Sequence, residues 1–326
     1  MPVLEVEDLT VAFHGRRGVL TAVDRVSFAI ERGEVLGMVG ESGAGKSLTG
    51  MAIIGLLEPP GKIAGGTVRL EGQRIDDLPA EAMRRIRGRK IGAIFQDPLT
   101  ALNPLLTIGR QLEETIRTHL PLDARAARAR AIELLREVGI PAPERRIDAY
   151  PHEFSGGMRQ RVVIALALCA DPVLVVADEP TTALDVSIQA QIVRLLKKTC
   201  REHGAAVLLI THDLGVIAET ADRVAVMYAG RLVEIGPVRS VIRDPGHPYT
   251  RGLMGAIPRL GTRARRLVQI EGAMPRLDAI PPGCAFHPRC PLAEARCRVE
   301  RPDLQPVDRG HAAACWRLDA GLGAVA

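Results

Sequence analysis

Between Gly40 and Ser47 the chain reads GESGAGKS, which sets glycines, a lysine and a serine at the spacing GxxxxGK[ST]. Gly43 and Gly45 let the main chain curl, so that the N–H groups of Gly40, Glu41, Ser42, Gly43, Ala44, Gly45 and Lys46 can turn toward the β- and γ-phosphates of a nucleotide. Lys46 adds a positive charge, and the Ser47 hydroxyl is a ligand type suited to Mg2+. Farther along, the apolar run PVLVVADE ends in Asp178 and Glu179. At the carboxyl end of a buried strand such an Asp can hold Mg2+ or its water, while the Glu orients or deprotonates an attacking water. Taken alone the pair could equally cap a helix; alongside a phosphate loop it is a joint signal for phosphate chemistry.

A third stretch, FSGGMRQR, sets Ser155, Gly156 and Gly157 ahead of the helical run RQRVVIALAL, whose first N–H groups and dipole can receive a phosphate. The purely structural alternative is an N-cap serine followed by a tight turn. Near the C-terminus Cys284, Cys290, Cys297 and Cys315 are separated by five, six and seventeen residues. A structural zinc site usually contains a pair two to four residues apart, which is missing here. Four loosely spaced thiolates, one followed by Pro291, suit a [4Fe–4S] cluster better. A mixed zinc site with His287 or His311, and four unligated thiols, stay open as alternatives.

Several elements must hold these residues in place. LEVEDLTVAF alternates as a strand, VDRVSFAI and GEVLGMVG read as two more, and LTGMAIIGLL reads as a helix broken by EPPG. GGTVRLEGQRI resembles a short hairpin strand. From about Gln96 to Tyr150 the period turns helical, with RQLEETIRTHL and ARAARARAIELLREVG. Strand and helix then alternate again through PVLVVADE, VSIQAQIVRLLKKTC, AAVLLITHD and the hairpin-like RVAVMYAGRLVEIG. Past about Pro245 the text becomes rich in Pro, Gly and Arg, which marks a boundary before an appendix carrying the cysteines.

The chain has 326 residues, 47% hydrophobic and 25% charged, which is ordinary for a folded globular protein and excludes a disordered one. Aromatics are only 3%, so the core is expected from Val, Ile, Leu and Ala, as in buried parallel strands of an α/β fold. Acidic residues occupy the N-terminus where an export signal would be basic, and VVIALALCA stops at Asp171 well short of a bilayer span. A cytosolic location, with membrane attachment only through a partner, is therefore expected, and structural disulfides are not. Cys169 and Cys200 stand apart from the other four as small packing residues. The formal charge of +5 is a weak signal, and the basic run Arg84–Lys90 lacks aromatics that would stack bases, so no nucleic acid is expected.

The set as a whole resembles the ATP-binding-cassette (ABC) ATPases. FSGGMRQR is similar to that family's signature motif and lies where the family carries it, between the helical insert and the carboxylate strand. The resemblance implies further roles: Gln96 in IFQDP as the loop glutamine reaching Mg2+ and the attacking water, Asp185 ending TTALD as the loop linking two sites, His212 in LLITHD as the switch histidine on the γ-phosphate, and Phe13 as the aromatic stacked on adenine. Phe154 and Met158 depart from the usual LSGGQ wording. On this resemblance Glu179, His212 and Gln96 are catalytic, and Ser47, Gln96 and Asp178 hold Mg2+.

GHPYTRGLM and the four-cysteine appendix resemble the C-terminal region of ATP-binding subunits of oligopeptide, dipeptide and nickel importers, a group that the cluster reading also matches. The resemblance implies an α/β fold of ABC type: a RecA-like core with an antiparallel β subdomain and a helical subdomain near 97–160, an ATPase domain over 1–245, and a cysteine-containing extension over 246–326. The implied function is ATP hydrolysis that energises oligopeptide or dipeptide import from the cytoplasmic face of the membrane. ATP, Mg2+ and a [4Fe–4S] cluster (or Zn2+) are the implied cofactors. The implied partners are a second, related ATPase chain, two transmembrane permease subunits and, indirectly, an extracytoplasmic peptide-binding protein. Import of nickel or another solute, and a soluble non-transport ABC ATPase, are the alternatives.

Overall fold

Analysed as a computed structural model, the protein is described at residues 1–15, 18–181, 185–255 and 270–318. The first two strands, β1 (Leu4–Gly15) and β2 (Gly18–Ile30), form a long antiparallel pair, and β3 (Val35–Val39) follows as a wholly buried strand. After it come α1 (Lys46–Ile53), β4 (Gly61–Leu70), the short β5 (Gln73–Arg74), α2 (Ala80–Ile86) and β6 (Ile91–Ile94). The helical segment then runs through α3 (Pro98–Ala101), α4 (Ile108–His119), α5 (Ala124–Glu137), α6 (Pro143–Arg146) and α7 (Gly156–Leu168). Thr107 caps α4 and Asp123 caps α5, each side chain accepting an N–H of the first turn, and α5 gives way to Gly139 at φ 76°, the left-handed stop its sequence announces.

Alternation of strand and helix resumes with β7 (Leu174–Asp178), α8 (Val186–Glu202), β8 (Ala206–Ile210), α9 (Leu214–Thr220) and the antiparallel pair β9 (Arg223–Tyr228) and β10 (Arg231–Pro237). Next are α10 (Val238–Arg243) and α11 (Pro248–Gly255), and, farther on, α12 (Ala295–Val299), β11 (Gln305–Asp308) and β12 (His311–Ala313). Two sheets result: a four-stranded antiparallel one ordered β2-β1-β4-β5, and an eight-stranded one ordered β11-β12-β10-β9-β3-β8-β7-β6. Five neighbours of the larger sheet, β9, β3, β8, β7 and β6, are parallel.

Period two along these strands divides the core. Val35, Val39, Val175, Ala177, Val207 and Leu209 face the helical side, where they meet Leu134, Leu135, Ile164 and Leu168. Leu36, Met38, Leu174, Val176, Leu208 and Ile210 face the other side and pack on Leu4, Val6, Val26 and Leu70 of the antiparallel sheet. Both faces being covered explains why the strand text is continuously apolar. Each such buried Val or Leu contributes about 1.5–3 kcal/mol.

The extension is joined to this body. Strand β12 pairs with the edge of β10, Glu234 opposite Ala313, so its short hairpin prolongs the larger sheet. Beneath that edge Glu234, fully buried, accepts N–H groups of Gly246 and His247 at 2.7 and 2.9 Å and meets His311 Nε2 at 2.7 Å. Three aromatic residues gather nearby: Tyr228, Tyr249 and Phe286 pack mutually with ring centroids 4.7, 5.2 and 5.4 Å apart.

Candidate nucleotide site

Four adjacent parallel strands end at one edge, and each delivers one of the expected residues. Beyond β3 lies the loop Gly40–Ser47; at the end of β7, Asp178, with Glu179 just past it; beyond β8, His212; beyond β6, Gln96. This is the edge at which parallel α/β sheets hold ligands. Gly45 stands at φ 103° at the N-cap of α1, a left-handed conformation that side chains resist, and a Cβ there would also press on the Ala22 carbonyl.

Lys46 is buried and its Nζ donates to the carbonyls of Gly40 at 2.8 Å and Glu41 at 3.0 Å, closing the loop on itself. Burial pulls its pKa below the usual lysine value, although the carboxylates of Glu179, Asp178 and Glu41 work the other way. Ser47 Oγ donates to Asp178 Oδ1 at 3.0 Å. Burial raises the Asp178 carboxyl, opposed by the Ser47 hydrogen bond and reinforced by the Glu179 charge. A hydroxyl and a carboxylate brought together at the phosphate loop are hard oxygen donors, the set that Mg2+ prefers.

Glu179 is held from two sides. Gln96 Nε2 donates to its Oε2 at 3.1 Å, and His212 Nδ1 lies 3.0 Å from its Oε1. Its own N–H donates to Ile210 O at 2.8 Å, and the residue takes φ 46°, a left-handed conformation costing a non-glycine about 1–2 kcal/mol. Residues 42–48, Gln96 and Glu179 line one open cleft of about 510 Å3. Another part of its wall is Met274–Leu277 of the extension, a contribution that no sequence motif announced. Tyr249 was missed as well: its Oη accepts the Glu41 N–H at 2.8 Å.

Five expected residues lie away from this cleft. Ser155 is exposed at the N-cap of α7, where its Oγ accepts the Met158 N–H at 3.4 Å; Gly156 is exposed and Gly157 half-buried beside Ile188. Asp185 is exposed at the N-cap of α8, and the preceding Thr182, Ala183 and Leu184 fall outside the described residues. Phe13 pairs across the sheet with Gly61 and packs on the second core; it is not among the residues lining the cleft.

The four cysteines do converge. Cys284, Cys290, Cys297 and Cys315 line a single small cavity of about 20 Å3 with Phe286 and Trp316. Burial raises the thiols of Cys284 and Cys315 and pushes Cys290 up to about 11. Among the described residues, however, no group of three or more His, Cys, Asp or Glu is arranged to hold a metal ion. The expected [4Fe–4S] cluster and its Zn2+ alternative are therefore not supported: the side chains share a cavity without forming a ligand set.

A phosphate loop, a carboxylate pair and a glutamine on the carboxyl edge of a parallel sheet define a nucleotide-binding protein of the phosphate-loop class. Comparison with known proteins goes further. Residues 23–182 match the family described as ABC transporter, and residues 233–297 match the oligopeptide/dipeptide transporter C-terminal region. An oligopeptide transport ATP-binding protein of Mycobacterium tuberculosis, OppD, is 52% identical over 99% of this chain and 53% of its own length. A putative peptide import ATP-binding protein of Brucella abortus is 49% identical over 96% of this chain and 94% of its own. Among solved structures, the dimeric post-hydrolysis state of the ATP-binding cassette MJ0796 bound to ADP and Pi superposes with TM-score 0.64 at 31% identity, over 72% of this chain and 99% of that one. The cassette cbiO1 of Clostridium perfringens gives 0.65 at 28%, over 74% and 91%. The chain belongs to the ABC transporter family of ATP-binding proteins. It spans about half the length of the mycobacterial relative it matches. Among the described residues no helix is long and apolar enough to cross a membrane.

Proposed function

We propose that this protein is the ATP-hydrolysing subunit that energises peptide import, docked on membrane permease subunits at the cytoplasmic face. The observation that carries the proposal is the convergence of Lys46, Ser47–Asp178 and Gln96–Glu179–His212 on one sheet edge, in a chain whose C-terminal part matches the oligopeptide/dipeptide transporter region. In this reading the loop's N–H groups and Lys46 bind the β- and γ-phosphates. Ser47, Asp178 and Gln96 would hold Mg2+, which when bound would supply charge neutralisation at the phosphates. Glu179, oriented by Gln96 and His212, takes a proton from the attacking water, and His212 also reads the γ-phosphate.

The exposed Ser155 and Gly156 and the half-buried Gly157 belong to the neighbouring protomer's nucleotide: they cap its γ-phosphate from the N-terminus of α7, and Asp185 couples the two sites. Support comes from the relatedness to a dimeric cassette and from those residues not being among the ones that line this chain's own cleft. The ATPase domain over 1–245, with its helical subdomain near 97–160, and the extension over 246–326 are proposed as functional divisions. Phe13 remains the proposed adenine partner on the resemblance alone. An iron–sulfur cluster forms no part of this proposal. The test is to purify the protein from membranes with its associated subunits and measure ATP-driven uptake of labelled peptide in proteoliposomes. Uptake abolished by Lys46→Ala supports the reading; association with no membrane subunit, or uptake of a metal ion in place of peptide, refutes it.

A further inference from the structure

One residue outside every motif grips the phosphate loop. Arg289 lies in the extension beside Cys290, yet its side chain is only 7% exposed. Its guanidinium meets the Glu41 carboxylate on two bonds, Nη1 to Oε2 at 2.7 Å and Nη2 to Oε1 at 3.0 Å. The same group lies 5.9 Å from the ring centroids of both Tyr228 and Phe286, and its Nε donates to the Glu271 carbonyl at 2.9 Å. Every polar group of Glu41 is thereby occupied: the carboxylate by Arg289, the N–H by Tyr249 and the carbonyl by Lys46.

This pair differs from a surface salt bridge, which contributes little. It is bidentate, within cation–π range of two rings and mostly withdrawn from water on the arginine side, a geometry that strengthens an Arg–carboxylate pair. Two consequences bear on ATP. A glycine-rich loop loses much conformational freedom when ordered, and a clamp that fixes it beforehand lowers the cost of binding. Glu41 also places a negative charge in a loop meant for a polyanion, and Arg289 neutralises it. We propose that Arg289 is a positioning residue for nucleotide binding: by clamping Glu41 it holds Gly40–Ser47 in its phosphate-receiving shape and cancels a charge that would repel the triphosphate. The proposal rests on the reading of that loop as the nucleotide site.

The experiment measures Mg·ATP affinity by calorimetry and unfolding midpoints without nucleotide, on full-length wild type, Arg289→Ala, Arg289→Lys, Arg289→Ala/Glu41→Gln and the control Lys46→Ala. Arg289→Ala should weaken ATP by about tenfold, the scale of a charge-assisted clamp, and Arg289→Lys by a smaller factor because one donor replaces the fork. In steady-state ATPase assays KM should rise while kcat changes little. Removing Glu41's charge as well should recover part of the lost affinity, which a merely structural role would not do. Affinity within about twofold of wild type in folded Arg289→Ala, or no recovery in the double variant, overturns the proposal. Should Arg289→Ala fail to fold, Arg289→Lys decides: affinity equal to wild type overturns it. The underlying reading fails separately, if wild type and Lys46→Ala bind ATP equally.

Discussion

Replacing Glu179 with Gln removes the proposed base while altering little else. The Gln carbonyl can keep the Gln96 donor now 3.1 Å from Oε2, and its NH2 can donate to His212 Nδ1 in the neutral tautomer across the present 3.0 Å. Glu179's side chain is 18% exposed and its backbone bond to Ile210 is untouched, so stability should change by less than about 1 kcal/mol. Loss of the neighbouring charge also removes a contribution that raises the Asp178 carboxyl, which leaves this proposed Mg2+ ligand at least as ionised as before. Binding should therefore survive while chemistry suffers. A positioned general base contributes about 10²–10⁴ in rate, or about 2.7–5.4 kcal/mol of barrier. Phosphate release would be followed under saturating ATP, with ATP affinity and unfolding midpoint measured on the same protein. A turnover within about threefold of wild type would show that another group takes the proton.

Other outcomes depend on particular residues. A Cβ on Gly40 would run into the Met227 carbonyl of β9, so Gly40→Ala should cost about 2–3 kcal/mol in chemical denaturation and abolish ATP binding. Burial holds His247 down at about 4, below its ordinary 6.5, against the Glu234 charge. Above pH 6.5 both states are neutral there and the group contributes nothing to pH dependence. As pH falls from 6.5 toward 4 the unfolded chain takes a proton that the fold refuses, so up to about 3 kcal/mol of stability is lost. His247→Asn, which keeps an acceptor for the Tyr249 N–H, should flatten that slope in urea titrations run across the window; an unchanged slope contradicts the assignment. Cys169 and Cys200, buried and pushed up to about 12, should resist alkylation at pH 8 until the protein unfolds, as read by mass spectrometry.

Much of the cleft was legible because its residues sit in short local patterns tied to strand ends. GESGAGKS, PVLVVADE and LLITHD each announce an apolar strand and the polar group just beyond it, and parallel pairing then gathers them at one edge. Arg289 and Glu41 are 248 residues apart, a contact that no local pattern encodes. Nor does QPVDRGHAA look like more than loop text, yet β12 finds the open edge of β10, a pairing decided by tertiary contact. The turn residues Asp308 and Gly310 between two short stretches were the signal that could have revealed that hairpin. Phe13 shows the reverse limit: resemblance assigns it to adenine, while the structure shows only its packing on the sheet beside Gly61. Likewise, cysteine spacing brings four thiols to one cavity but does not by itself orient them toward a metal.

The most direct test of the account is disulfide crosslinking between protomers that carry Ser42→Cys and Ser155→Cys in the hydrolysis-deficient Glu179→Gln background, with linked peptides read by mass spectrometry. A link between the Gly40–Ser47 segment of one molecule and the Ser155–Gly157 segment of another, formed with ATP and lost in Lys46→Ala, is the predicted result. Protein that binds ATP yet never joins those two segments, with nucleotide or without, would contradict it.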